Sequence, residues 1–235
     1  MAIRSHSHKT RSLWITVLIL LAIGFKFYLE SQSPHDAKSS SPPPTPGQSH
    51  SPARPSAEVE EKGDYEVYRN CTLAQARNND GDSFVVRLPD GRQAEFRLYF
   101  VDTPESAFKS YPGGDTNHGR IRQQAADMGN ITPEQVVEIG KVGKRHTLEL
   151  LASRPFTIYT RWDSPFDDKR YHAHVQVQHD TSARWLDEVL IERGLARIKT
   201  KPADLPDGTS AAKHLAHLKD LQRAAQQAKR GVWSF

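Results

Sequence analysis

Two short runs gather most of the residues able to do chemistry. Asp80-Gly81-Asp82-Ser83 and Asp102-Thr103-Pro104-Glu105 each set two carboxylates close together, and Arg97 lies between the runs, flanked by Phe96 and Leu98. Acids drawn to one rim of a fold repel one another unless a cation or arginines compensate them. Oxygen ligands without thiolates select a hard cation such as Ca²⁺. An arginine in a largely apolar stretch must find an anion if it turns inward. On this reading, replacing one of the two central acids relieves repulsion and raises the stability of the cation-free protein. Asp80, inside an Asp-Gly pair, reads as a turn residue.

The elements around these runs are legible as strands and helices. Tyr65–Leu73 alternates apolar and polar residues as a strand does, and Asn78–Gly81 is a turn. Ser83–Leu88, the turn Pro89-Asp90-Gly91 and Gln93–Val101 read as a hairpin. A long polar segment runs from Asp102 to Ile139, followed by a helix over Val142–Leu151. Phe156–Thr160 and His172–Gln178 read as two more strands. Thr181 or Ser182 then caps a helix bearing Trp185, Leu186, Val189 and Leu190, closed by Gly194. A last helix carries Leu215, Leu218, Leu221 and Ala225 and stops before Gly231. The pattern predicts an α+β, mainly β fold: a five-stranded OB-fold barrel with packed helices. His172 and His174 share one strand face and read as solvent-facing, with a zinc site as the alternative.

Composition limits the remaining possibilities. The chain has 235 residues and one cysteine, Cys71. That excludes an internal disulfide framework and a four-thiolate zinc site. Leu13–Phe25 is apolar apart from Thr16, and Arg4, Lys9 and Arg11 precede it. This arrangement predicts an uncleaved signal anchor with a cytoplasmic N-terminus, a cleaved signal being the alternative. Ser39–Gly47 is rich in serine and proline and lacks any apolar period, as a tether does. The expected organisation is therefore an anchor over 1–30, a disordered linker over 31–62 and a domain over 63–235. The protein is then membrane-anchored by a single pass with its domain exported, or secreted. Net charge is +4, and residues 1–60 hold six of the 32 Lys/Arg and four of the 28 Asp/Glu. The rest is nearly neutral, so bound nucleic acid must be held by a local patch.

Asp80-Gly-Asp-Ser83 and Phe96-Arg-Leu-Tyr-Phe-Val-Asp-Thr-Pro-Glu105 resemble the thermonuclease, or staphylococcal-type nuclease, family. So do, in order, Gly140-Lys-Val-Gly143, Asp168-Lys-Arg170, Gly194-Leu-Ala-Arg-Ile198 and Gly231-Val-Trp-Ser234. The resemblance spans Tyr65 to Phe235. It implies an OB-fold endonuclease that hydrolyses phosphodiester bonds of DNA or RNA with one Ca²⁺. Asp82 and Asp102 match the family's metal carboxylates, and Thr103 the residue giving its backbone carbonyl. Glu105 matches the acid that activates water, and Arg97 and Arg170 the phosphate-binding arginines. The stacking tyrosines of the best-known member give way to Lys199, Thr200 and Lys201, so Lys199 and Lys201 are expected to contact substrate phosphates. The segment from Glu105 to Gly140 is longer than in simple members and reads as a lid or a structural flap. A monomer is expected. The alternative is a membrane-anchored nucleic-acid-binding barrel without catalysis.

Overall fold

Alternation of apolar and polar side chains gives each strand a core face, and five such strands bury those faces only by closing on one another. The computed structural model describes residues 60–164 and 168–235. The barrel strands are β2 (Tyr65–Leu73), β3 (Ser83–Arg87), β4 (Gln93–Leu98), β6 (Phe156–Thr160) and β7 (Arg170–His179). They pair in the order β2-β3-β4-β7-β6, and β6 returns to β2 to complete the circuit. The β4–β7 pairing is parallel and the others are antiparallel. Phe84, Val86, Phe96, Leu98 and Ile158 fill the interior. This closed five-stranded barrel with helices is consistent with an OB-fold.

Four shorter pieces adjust that barrel. β1 (Glu60–Lys62) pairs with the start of β2, inside the stretch read as linker. The strand expected over Gln93–Val101 ends at Leu98, because Phe100 adopts φ +66° and turns the chain. β5 (Val101–Asp102) then leaves the barrel and pairs with β9 (Arg197–Ile198), which sets Arg197 opposite Asp102. Ser182–Trp185 forms β8 on the edge of β7 instead of opening a helix.

Among the described residues four helices cover the barrel. α1 (His118–Asp127) lies within the segment expected to be irregular; it is mostly polar and buries only Ile121, Gln124 and Ala125. α2 (Pro133–Ser153) starts with a capping box in which Thr132 accepts from the Gln135 amide, and Pro133 sits in its first turn. α3 (Leu186–Glu192) and α4 (Ala211–Gln227) complete the set, and a 3₁₀ turn (Gly231–Ser234) ends the chain.

His172 and His174 are each only 3% exposed, so the expectation of solvent-facing histidines fails. Tyr99 stacks on His172 at 5.2 Å between ring centres, and His174 lies within hydrogen-bonding range of Tyr65 Oη and the Asp204 carbonyl. Among the described residues no helix is long and apolar enough to cross a membrane. The anchor read over 1–30, and the linker up to Val59, lie outside the described residues.

Candidate active site

Helix α2 holds both acidic runs in place. Thr147 Oγ1 donates to the Gly81 carbonyl at 2.9 Å. Gly143 faces Leu195 and Thr103, and Gly140 packs directly on the backbone of Pro104 and Glu105. The Leu98 amide donates to the Asp82 carbonyl at 2.9 Å, which ties the first run to the end of β4.

These supports bring Asp82, Arg97, Asp102 and Glu105 together. One Arg97 nitrogen, Nη2, donates to Asp82 Oδ2 at 3.1 Å and to Asp102 Oδ1 at 3.0 Å. Asp82 and Asp102 are 6% and 2% exposed. Burial pushes the Asp82 carboxyl up; Arg97 opposes this, while Asp102 and Asp80 add to it. Asp80 is also raised by burial, against the Gly81 amide and Lys144.

Five residues given no role in the sequence reading complete the cluster. Arg197 Nε donates to Asp102 Oδ2 at 2.8 Å. Arg120 Nη2 donates to Asp102 Oδ1 at 2.6 Å, and its Nε lies 3.0 Å from Glu105 Oε1. Gln124 Nε2 donates to Asp102 Oδ2 at 3.1 Å, while its Oε1 accepts from the Glu105 amide at 3.0 Å. Asn117 Nδ2 donates to the other Glu105 oxygen at 3.0 Å, and Lys109 Nζ lies 3.4 Å from it. Arg120 and Gln124 are four residues apart on α1, so both face the site from one side. Periodicity gives no signal for them because α1 has almost no apolar stripe. Arg197 was detectable only through the β5–β9 pairing.

Other expected residues sit further out. Arg170 opens β7 opposite Glu95, but its guanidinium is engaged by Asp168 through Nε at 2.8 Å and Nη2 at 2.5 Å. Among the described residues it makes no ion pair with Asp82, Asp102 or Glu105. Lys199 Nζ lies 3.6 Å from Asp127, and Lys201 Nζ donates to Asp163 at 2.6 Å.

The donor set suits a hard cation at one end. Among the described residues Asp82 is a buried carboxylate that Arg97 alone bonds, and the neighbouring Ser83 Oγ is buried without a partner. The Thr103 carbonyl faces the same cluster, where it accepts from Gln124 at 3.2 Å. At the other end Asp102 already accepts four bonds, and Arg120 is the most exposed of its arginine donors, at 43% against 13% for Arg97 and 10% for Arg197. A cation taking Asp102 Oδ1 therefore competes with Arg120. Among the described residues no group of three His, Cys, Asp or Glu side chains forms a cation cage, so water must fill much of the coordination shell.

The family model described as staphylococcal nuclease homologue matches residues 95–235. That stretch includes Arg97, Asp102, Thr103, Glu105, Arg170, Lys199 and Lys201; Asp82 precedes it. No curated protein matches the chain. Among solved structures, the chain is similar to the extended Tudor domain of Drosophila melanogaster Tudor-SN (p100), at 11% identity and a TM-score of 0.35. That likeness covers 78% of this chain and 80% of the other.

Proposed function

Because the chain belongs to the staphylococcal nuclease homologue family, we propose that it is a Ca²⁺-dependent endonuclease that hydrolyses phosphodiester bonds of DNA or RNA. The observation that carries this reading is the single Arg97 nitrogen shared by two buried carboxylates, with Glu105 tied to the same cluster through Arg120. Asp82, Asp102 and the Thr103 carbonyl would hold Ca²⁺. When bound, the ion supplies Lewis-acid charge beside the scissile phosphate. Arg97 donates to a phosphate oxygen as negative charge grows there, a task suited to a guanidinium. Glu105 accepts a proton from water while the water oxygen attacks phosphorus and the bridging P–O bond breaks. Arg120 and Asn117 hold the two Glu105 oxygens and so fix the direction of that carboxylate. Arg170 reaches the same phosphate only after leaving Asp168.

Single-turnover cleavage and filter binding of the full chain test these roles. Glu105→Gln and Arg97→Lys should each lose about a hundredfold or more in rate, the scale for deleting a charge-stabilising donor, while still binding substrate. Arg170→Lys should fall with them if Arg170 swings in. Wild-type cleavage by all three variants would remove the assignment. A second reading, a nucleic-acid-binding module without catalysis, is favoured by one feature: all four acceptor positions of Asp102 are filled by this chain's own side chains. It predicts binding with no Ca²⁺-dependent cleavage.

The segment over 1–30 is proposed to anchor the domain outside the cytoplasmic membrane face. Protease added to intact cells should then release the domain by cutting between Ser31 and Glu61. A domain protected until lysis would end that proposal.

A further inference from the structure

A second charged feature lies on the opposite side of α2. The face of this helix that carries Gly140, Gly143 and Thr147 supports the acidic cluster. Its other face borders a cavity of about 410 Å³ whose lining includes Arg145, His146, Glu149, Arg193, Leu195 and Arg230. Three arginines from three separate segments thus line one concavity that has a single carboxylate in its wall. Arg230 has a partial partner in Glu192 at 3.5 Å. Among the described residues Arg145 and Arg193 pair with no carboxylate; Arg193 Nη2 meets only His179 Nε2, at 3.1 Å. Among the described residues His146 Nε2 is buried and has no hydrogen-bond partner.

The floor of the cavity is preformed. A Cβ on Gly194 would meet the Arg230 carbonyl at 2.3 Å, and one on Gly231 would meet the Arg193 carbonyl at 2.3 Å. The Val232 amide donates to the Gly194 carbonyl at 3.0 Å. These close backbone approaches fix the stems of Arg193 and Arg230 side by side. Arginines gathered on one concavity are stabilised by an anion that enters it. The wall offers no Tyr, Trp or Phe on which a base could stack, so the chemistry selected is a phosphate and not a nucleoside. Lys144 precedes Arg145 on α2 and acts electrostatically on Asp80, so positive charge continues from the acidic rim to the cavity.

We propose that the cavity bounded by Arg145, Arg193 and Arg230 is a second nucleic-acid contact, which grips backbone phosphates of the strand whose scissile bond lies at the Asp82–Asp102–Glu105 cluster. The choice of ligand rests on the nuclease reading; the presence of an anion site does not. Arginines suit the task because their planar fork binds phosphate bidentately. This contact governs how tightly and in what direction a strand lies, and leaves the chemical step alone.

The test is fluorescence anisotropy of a labelled 20-nucleotide single strand with the full chain, in chelator to prevent cleavage, across a salt series. Arg145→Gln/Arg193→Gln should weaken binding roughly fivefold per lost phosphate contact at about 0.1 M salt and lower the salt slope by about 0.7 per contact. Arg145→Lys/Arg193→Lys should keep most of the slope. Lys213→Gln/Lys219→Gln, the same charge change on exposed positions of α4, should leave it unchanged. Single-turnover cleavage at saturating strand should be the same for the Gln pair and wild type. If the α4 pair weakens binding as much as the cavity pair, or the cavity pair has no effect, the proposal is overturned. If the cavity pair lowers the slope of a protein that never cleaves, the site stands and the nuclease reading falls.

Discussion

A methyl group added at Gly140 should separate catalysis from folding. A Cβ there would lie 2.3 Å from the Glu105 carbonyl oxygen, 2.6 Å from its carbonyl carbon and 2.7 Å from the Pro104 oxygen. All three are backbone atoms, so no side-chain rotation relieves the clash. Ordinary contact begins at 3.4 Å, so the Glu105 segment must retreat by about 1 Å. Alanine in place of a helical glycine returns about 1 kcal/mol of helix propensity. Overpacking costs about 1–3 kcal/mol. The net loss of about 0–2 kcal/mol leaves a domain of ordinary stability folded. Displacing a catalytic group by about 1 Å costs roughly a hundredfold in rate. Gly143→Ala is the matched control: the same helix gains the same propensity, but the new Cβ meets Leu195 O at 3.2 Å and Leu195 Cβ at 3.7 Å, a contact only slightly tight. Single-turnover cleavage and thermal melting of both variants decide the matter. Gly140→Ala should melt near wild type and cleave about a hundredfold more slowly, whereas Gly143→Ala should cleave within about threefold of wild type, on the same displacement argument. A folded Gly140→Ala that cleaves normally would refute the claim that α2 sets the position of Glu105.

Other perturbations probe the cluster and the core. Asp102→Asn should destabilise the protein by about 3–5 kcal/mol, because it leaves the largely buried Arg97 and Arg197 without their carboxylate; denaturant titration reads this directly. Arg120→Gln should leave the melting temperature nearly unchanged, since Arg120 is 43% exposed, and should lower the single-turnover rate by freeing Glu105. His174 is held neutral by burial, its pKa lowered to about 4, so the unfolded chain takes up the proton first as pH falls. Stability should therefore drop between about pH 6.5 and 4, by up to roughly 3 kcal/mol from this residue, and a melting series on His174→Gln should show a shallower acid limb.

Much of the barrel was legible because its strands carry strict alternation and its turns carry Gly, Asn and Asp. Tyr65–Leu73 and Phe156–Thr160 form as that pattern dictates. The break after Leu98 was not legible, since it depends on a left-handed Phe100, a residue type that gives no local warning. That one turn moves Asp102 onto β5 and supplies Arg197 from β9. It also reverses the stability argument: local spacing pointed to two acids repelling each other, whereas three arginines from β4, α1 and β9 compensate Asp102. α2 starts at Pro133, earlier than the expected Val142, because Thr132, Pro133 and Gln135 form a capping signal inside the stretch read as a polar segment. Arg120 and Gln124 could not be placed, because a polar helix is positioned by the site it serves and not by an apolar face. The histidines of β7 alternate as a half-exposed strand would; Tyr99 and Tyr65, which cover them, come from the β4–β5 turn and β2.

The most direct test of the central claim is cleavage of end-labelled single- and double-stranded DNA and RNA by the full chain, with Ca²⁺ and with excess chelator, beside Glu105→Gln. The nuclease reading predicts internal cuts that need Ca²⁺, stop in chelator and fall by about a hundredfold or more in the variant. Undiminished cutting in chelator, or Ca²⁺-dependent cutting equally fast in Glu105→Gln, would contradict it.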